Sequence, residues 1–173
     1  MPSILDYFFP STQTIPSTIY DFRVPSISGG VIDFASFRGK KIMIVNTASL
    51  CGFTPQYKEL EALYKQHIDK LVIVGFPSNS FLFQDPGSNE KIAAFCTTTY
   101  GVTFPMAAKV PVKGFRKAPI YQWLTRKKYN GFSDNTVRWN FQKYLIDEQG
   151  KLTHVFSHKM SPLDKEIVTA IVS

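Results

Sequence analysis

The apolar residues of this chain follow two kinds of pattern, strand-length runs and helix-like repeats, which alternate along the sequence. Residues 41–46 and 71–76 form apolar runs of strand length, and the second has the composition of a strand buried on both faces of a sheet. Apolar residues that recur three or four positions apart predict helices that cover such a sheet. These helical patterns occupy residues 55–67, the stretch that begins at Ser88, residues 119–128 and residues 162–172.

Shorter alternating segments predict two β-hairpins and one further strand. The hairpins join residues 19–24 to 31–34 through Gly29-Gly30, and residues 144–147 to 152–156 through a turn that ends at Gly150; the further strand covers residues 106–112. Strands that alternate with helices and end in an antiparallel hairpin indicate an α/β fold, with a central mixed β-sheet flanked by helices and an N-terminal β-hairpin.

The length of 173 residues is enough for one domain with a sizeable core. We expect residues 1–16, which contain three prolines, to form an irregular N-terminal extension and residues 17–173 to form the single domain. Two cysteines are too few for the disulfide framework of a secreted protein, and their separation matches no zinc site. Neither a metal nor another cofactor is predicted.

The two ends of the chain carry no recognisable address. No basic residue precedes Arg23, so neither a secretory signal nor an Arg-rich transit peptide is predicted. The C-terminal Ser173 does not end a peroxisomal signal. No apolar run reaches the length of a membrane span, so stable membrane insertion is not expected. With two thiols, these features predict a reducing, cytoplasmic location.

The formal net charge is +7, with basic clusters at Arg116-Lys117 and at Arg126-Lys127-Lys128. Such a balance could serve nucleic acid, an anionic membrane surface or an acidic protein. The second cluster falls at the end of a predicted helix, where basic side chains complement the helix dipole. A solvated helix end is therefore the favoured interpretation, and no nucleic-acid partner is predicted.

Cys51 is the strongest candidate for chemistry. It lies between the strand at residues 41–46 and Pro55, which suits the first position of a helix. A thiol there faces unpaired N–H groups and the positive end of the helix dipole, and both favour the thiolate. Because the dipole contributes only about 1–2 kcal/mol, a dedicated nucleophile needs further hydrogen-bond donors from elsewhere in the chain.

Three motifs point to those donors. They are Cys51-Gly52-Phe53-Thr54-Pro55-Gln56-Tyr57, the segment from Gly75-Phe76-Pro77-Ser78-Asn79 to Gln84-Asp85-Pro86-Gly87, and Arg138-Trp139-Asn140-Phe141-Gln142. In this order they resemble the motifs of the glutathione peroxidase family in its cysteine form, and the similarity runs from about Ile19 to the C-terminus. The resemblance implies a thioredoxin-like fold and a thiol peroxidase that reduces hydrogen peroxide and organic hydroperoxides.

The resemblance also implies a catalytic tetrad. Cys51 takes the place of the peroxidatic residue, and Gln84, Trp139 and Asn140 take the places of the amide, indole and second amide around it. Their N–H groups would supply the missing donors. Such donors stabilise a thiolate, and then the charge that develops on oxygen as the peroxide bond breaks.

The chain departs from the family pattern near the expected substrate rim. Ser78 stands where many members have cysteine, and Ser80 where many have glutamine. Leu82-Phe83 replaces a glycine-rich pair, which makes this loop more apolar. The chain is also short between Lys113 and Arg138, where tetrameric relatives carry an insertion, so a monomer or homodimer is expected.

Two interpretations apply to Cys96. By periodicity it shares a helix face with Ile92 and Tyr100, which favours a core residue. The resemblance instead implies the resolving cysteine of thioredoxin-dependent fungal and plant members. Cys51 would then oxidise to a sulfenic acid, condense with Cys96 to a disulfide, and be regenerated by thioredoxin. Because Cys96 would face inward from its helix, that helix would have to unwind before the disulfide could form. The threonines at residues 97–99 are poor helix formers, which favours such an opening.

Other thiol chemistries fit less well. A reductase needs Cys-x-x-Cys, and a peroxiredoxin has threonine three residues before its cysteine, whereas Thr47 lies four before Cys51. A Cys–His hydrolase lacks local support at His67, His154 and His158. Three alternatives stay open: a peroxide sensor that passes oxidation to a client protein, a glutathione-dependent peroxidase whose second cysteine is structural, and a basic binding module.

Overall fold

The computed structural model describes residues 14–173 of the chain. The irregular extension expected at residues 1–16 lies almost wholly outside that range. Within residues 14–173, no helix is both long and apolar enough to cross a bilayer.

The central sheet has four strands in the order β4-β3-β5-β6. Strand β3 pairs in parallel with β4 and antiparallel with β5, which continues antiparallel to β6. An antiparallel hairpin of β1 and β2 precedes this sheet. The strands are Arg23–Pro25 (β1), Val31–Asp33 (β2), Lys41–Thr47 (β3), Leu71–Pro77 (β4), Lys143–Ile146 (β5) and Leu152–Phe156 (β6).

Helices cover both faces of this sheet. They are Gln56–Gln66 (α1), Asn89–Tyr100 (α2), Pro119–Thr125 (α3), Lys127–Asn130 (α4) and Lys165–Val172 (α5), with short 3-10 helices at Ile19–Asp21 and Phe34–Phe37. Alternate residues of β3 enter different apolar clusters: Ile42 and Ile44 pack with α3, whereas Met43 and Val45 pack with α1, α2 and α5. Every residue of β3 and β4 is buried, as the apolar runs predict.

Two predicted elements are wrong in detail. Of residues 106–112 only Met106 and Ala107 pair, each through an isolated bridge, and no strand forms; Pro111 has no N–H to donate to a ladder. Met106 still lies against Gly75 of β4, and its sulfur fills the space that a Cβ at residue 75 would need. The helix predicted at residues 119–128 breaks into α3 and α4 at Arg126, which has extended backbone angles.

Candidate active site

Cys51 lies in the loop that joins the carboxyl end of β3 to α1. Successive turns wind this loop toward the helix: the Thr54 N–H donates to the Cys51 carbonyl at 3.0 Å, and the Gln56 N–H donates to the Phe53 carbonyl at 2.9 Å. The Cys51 side chain is buried, and its Sγ accepts the Phe53 N–H at 3.4 Å. A backbone N–H in the turn that precedes α1 therefore donates to the sulfur.

Thr54 braces this loop from within, a role that the sequence analysis missed. Its hydroxyl accepts the Cys51 N–H at 2.9 Å and donates to the Ala48 carbonyl at 2.8 Å. The group is buried, so both backbone partners depend on it. The available signal was a threonine three residues after the cysteine, a residue type that often bonds nearby backbone.

A second loop, which follows β4, is fastened to the cysteine loop at two successive residues. The Leu50 N–H donates to the Gln84 carbonyl at 2.9 Å. Asp85 Oδ1 accepts from the Ser49 N–H at 3.2 Å and from the Ser49 hydroxyl at 2.7 Å. Burial raises the pKa of Asp85, while the bonds from Ser49 act in the opposite direction. These contacts place Gln84 beside Cys51 along the backbone.

The loop before β5 contributes Trp139 and Asn140. Asn46, at the end of β3, donates its side-chain amide to the Trp139 carbonyl at 3.0 Å. The Asn140 Nδ2 donates to Gln84 Oε1 at 2.9 Å, and the Asn140 side chain is fully buried. The Trp139 ring stacks at a tilt on Phe81, with 5.3 Å between ring centroids.

The structure thus brings together the four residues that the resemblance nominates, by different means. Asn140 contacts Gln84 directly, and Trp139 packs against the apolar cluster that contains Cys51. Among residues 14–173, none of these three side chains hydrogen-bonds to the Cys51 sulfur; the donor on that atom is the Phe53 N–H. In the described residues, Gln84 and Asn140 thus contact each other, and their role toward the sulfur stays a prediction.

Cys96 lies on α2, only 2% exposed, in the same apolar cluster as Cys51. Both thiols are free. Burial raises the pKa of Cys96, and this effect exceeds the opposing influence of the Tyr57 hydroxyl. The Tyr57 ring packs near Phe95 and Tyr100, at centroid distances of 6.4 and 5.5 Å. In this conformation Cys96 is thus held as a protonated thiol beside a cluster of aromatic side chains.

The three histidines do not form a nucleophile–base pair with Cys51. The His158 ring packs edge-on against Phe53 at a centroid distance of 5.3 Å, and burial lowers the pKa of His158. His154, on β6, stacks on Phe156 with 5.2 Å between the ring centroids. No hydrogen bond within residues 14–173 joins an imidazole to the Cys51 sulfur. This geometry does not support the Cys–His hydrolase interpretation.

Within residues 14–173, no three His, Cys, Asp or Glu side chains come together in an arrangement that could hold a metal ion.

A cysteine between a sheet strand and the helix that follows it, in a mixed sheet covered by helices on both faces, is the arrangement of thiol enzymes with the thioredoxin-like fold. The family model for glutathione peroxidase matches residues 19–125, more than half of the chain. The chain belongs to the glutathione peroxidase family, and it is a peroxidase.

Individual relatives agree with this assignment. The "Glutathione peroxidase-like peroxiredoxin 2" of Saccharomyces cerevisiae is 46% identical over 154 residues, which cover 87% of this chain and 95% of the relative. A crystal structure of Trgpx in apo form is 34% identical, with a TM-score of 0.67 over 90% of this chain and 96% of that one. A thioredoxin family protein from Chlorobium tepidum TLS is 17% identical, with a TM-score of 0.66 over 94% of this chain and 100% of that one, which supports the fold alone.

Proposed function

We propose that this chain is a two-cysteine thiol peroxidase, in which Cys51 reduces hydrogen peroxide or an organic hydroperoxide, Cys96 resolves the oxidised cysteine, and thioredoxin restores both thiols. One observation carries the proposal: two free cysteines lie in a single apolar cluster, one in the loop before α1 and the other on the neighbouring α2.

The first step is attack of the Cys51 thiolate on the terminal peroxide oxygen. A sulfur–oxygen bond forms, the peroxide bond breaks, and the leaving alkoxide or hydroxide takes a proton to become an alcohol or water. The Phe53 N–H, which already points at the sulfur, stabilises the thiolate. The amides of Gln84 and Asn140 and the indole of Trp139 are the groups that we assign to the developing oxygen charge.

The second step joins the two sulfurs. The Cys96 thiol loses its proton and attacks the Cys51 sulfenic acid, a disulfide forms, and the departing hydroxide leaves as water. Cys96 is only 2% exposed and burial raises the pKa of its thiol, so both access and ionisation would improve if the thiol left its pocket. The last turn of α2 suits such an opening, because the threonines at residues 97–99 are poor helix formers.

An open surface pocket of about 240 Å³ borders α2, and its lining includes Cys96, Thr97 and Phe104. The helix borders solvent-accessible space on that side, which suits a local opening of its end. Helix α2 ends at Gly101, which has the left-handed conformation. Only the few residues from Cys96 to the end of the helix would therefore have to unwind.

The third step is reduction of the disulfide by a dithiol through exchange, for which we assign thioredoxin. Cys96 supplies an internal thiol, so glutathione is not needed to resolve Cys51. A cycle that returns both cysteines to the reduced state fits a reducing compartment such as the cytoplasm. The proposed assembly is a monomer or homodimer.

The donor experiment tests this proposal directly. Peroxide consumption is followed with thioredoxin and its reductase as the only source of electrons, and in parallel with glutathione and its reductase. We expect sustained turnover with thioredoxin and little with glutathione. Equal or faster turnover with glutathione would contradict the assignment of the reductant. A single equivalent of peroxide consumed in both arms would favour a relay that needs a client protein.

A further inference from the structure

Lys143 is a completely buried lysine. It is the first residue of β5, lies opposite Val45 of β3, and has no exposed surface. Lysine is almost never fully buried unless its charge is paired, because an ammonium group loses its hydration in the protein interior. Among the ion pairs of residues 14–173, however, none includes Lys143. The burial of this group is therefore compensated by partners of another kind.

These partners are backbone carbonyls of the turn that follows β6. Lys143 Nζ donates to the Met160 carbonyl at 2.6 Å, and to the carbonyls of Ser157 and His158 at 3.4 Å each. An ammonium group has three N–H donors and no acceptor, so one lysine can serve all three carbonyls. We call residues 157–161 the carbonyl turn.

The carbonyl turn also rests on the first turns of α1. Gln56 Nε2 donates to the same His158 carbonyl at 2.8 Å, and the Ser161 hydroxyl donates to the carboxylate of Glu59. Burial lowers the pKa of Lys143, and the negative charge of Glu59 opposes this shift. Lys143 and the start of α1 thus hold the carbonyl turn between them.

The His158 ring connects the carbonyl turn to the Cys51 loop. This ring packs edge-on against Phe53, with 5.3 Å between ring centroids. The N–H of Phe53 is the backbone donor to Cys51 Sγ, at 3.4 Å. Because hydrogen bonds depend steeply on geometry, a displacement of the His158 ring that moves Phe53 would also disturb the donor to the sulfur.

We propose that Lys143 is a positioning residue for the reaction of Cys51 with peroxide: it fixes the carbonyl turn, and the turn keeps the Phe53 N–H directed at the sulfur. Lys143 acts through this chain of contacts and does not touch the reacting atoms. Small displacements of reacting groups can cost a large factor in rate. The inference rests on the proposed role of Cys51 as nucleophile, and it depends neither on Cys96 nor on the identity of the reductant.

A second buried lysine in the same sheet supplies a matched control. Lys41 is the first residue of β3, and its Nζ donates to three main-chain oxygens at the end of α5, those of Ala170, Ile171 and Ser173, at 2.9, 3.0 and 2.6 Å. Lys41 lies at the opposite end of β3 from the Cys51 loop. Loss of either lysine leaves main-chain oxygens without their donor, so both variants should lose stability. Only the loss of Lys143 should disturb the nucleophile.

Stopped-flow measurement of Cys51 oxidation by hydrogen peroxide tests the proposal in Lys143→Met and Lys41→Met. The measurements are made below the Lys143 pKa of about 7, so that the lysine is charged. We expect the second-order rate constant to fall about tenfold in Lys143→Met and to stay at the wild-type value in Lys41→Met. A normal rate in folded Lys143→Met would overturn the proposal, and so would equal rate losses in the two variants.

The amide signal of Phe53 in NMR spectra provides a local readout that a loss of general stability does not reproduce. We expect this signal to shift in Lys143→Met and to keep its wild-type position in Lys41→Met. An unchanged Phe53 signal in Lys143→Met would contradict the proposed path through the carbonyl turn.

His158→Ala tests the same path if Lys143→Met does not fold. It removes the half-buried ring that contacts Phe53 but leaves the backbone carbonyls of the turn in place. We expect slower oxidation of Cys51 and a shifted Phe53 amide signal. Wild-type values of both would overturn the proposal.

Cys51→Ser separates this inference from the proposed function. If Cys51→Ser is inactive while Lys143→Met reacts at the wild-type rate, the nucleophile is assigned correctly and only the role of Lys143 is wrong. If Cys51→Ser retains turnover, the nucleophile lies elsewhere, and the proposed function fails together with this inference.

Discussion

The Nδ2 amide of Asn140 donates a hydrogen bond to Gln84 Oε1 across 2.9 Å, although the two residues are 56 positions apart in the chain. This bond fixes which way round the Gln84 amide lies. Because its oxygen is engaged by Asn140, the Gln84 NH2 group is turned away from that partner and is available as a donor. The fully buried Asn140 is thus a positioning residue for Gln84 as well as a candidate donor.

Removal of either amide should slow the reaction with peroxide. We expect Gln84→Ala to reduce the second-order rate constant about 10- to 1000-fold, since it removes a donor to developing negative charge. Asn140→Ala should produce a loss of similar size, and the double variant should lose less than the product of the two, because the residues act as a pair. Stopped-flow measurement of Cys51 oxidation provides the rates. Full additivity would mean that the two amides act independently.

Cys51→Ser should abolish peroxidase activity and leave the fold intact. A serine hydroxyl does not ionise near neutral pH, so the nucleophile is lost, while the Cys51 backbone N–H keeps its bond to the Thr54 hydroxyl. Peroxide consumption with excess thioredoxin measures the activity, and circular dichroism checks the fold. Substantial remaining turnover would place the nucleophile elsewhere.

Thr54→Val should damage both stability and rate. The substitution keeps the shape but leaves the Cys51 N–H and the Ala48 carbonyl without their buried partner, at a cost of about 1–3 kcal/mol. Since the N–H belongs to the nucleophile itself, oxidation of Cys51 should also slow.

Thr125→Val supplies the matched control for that variant. Its buried hydroxyl donates to the Tyr121 carbonyl at 2.6 Å, on the other face of the sheet. We expect a similar loss in the free energy of unfolding, measured by denaturant titration, but an unchanged rate with peroxide. Equal rate losses in the two variants would show that Thr54 acts through general stability alone.

Lys143 should make stability depend on pH. Burial lowers the pKa of this lysine to about 7 in the folded protein, whereas an unfolded lysine titrates near 10.4. Between these values the unfolded chain binds more protons, so the free energy of unfolding should rise with pH, by at most about 1.4 kcal/mol per unit. Lys143→Met should flatten this rise between about pH 7 and pH 9. An identical slope in both proteins would mean that Lys143 stays charged when folded.

Much of the fold could be predicted from local patterns. The apolar runs of β3 and β4 and the helical period of α1 depend on burial, which the order of residues records directly. The segment at residues 106–112 could not be assigned correctly, because its contact with Gly75 depends on tertiary approach rather than on its own alternation. The break of the predicted helix at Arg126 could not be read from the sequence, because neither proline nor glycine occurs at that point.

The candidate site could likewise be predicted only where local motifs record it. Cys51, Gln84, Trp139 and Asn140 came from ordered motifs. By contrast, the clamp from Asp85 to Ser49 joins residues 36 positions apart through a buried carboxylate, a pairing that composition and spacing do not encode. The free thiols are consistent with both interpretations of Cys96, so its role stays a prediction.

The most direct test of the two-cysteine account is the fate of Cys51 after one equivalent of peroxide, in the wild-type protein and in Cys96→Ser. Both proteins should react at nearly the same initial rate, because Cys51 and its surroundings are the same in each. Intact mass spectrometry with peptide mapping should then find a Cys51–Cys96 disulfide in the wild type. The variant should stop at a Cys51 sulfenic acid and lose turnover with thioredoxin. A wild type without this disulfide, together with a variant that retains thioredoxin-dependent turnover, would contradict the account and leave Cys96 as a residue of the core.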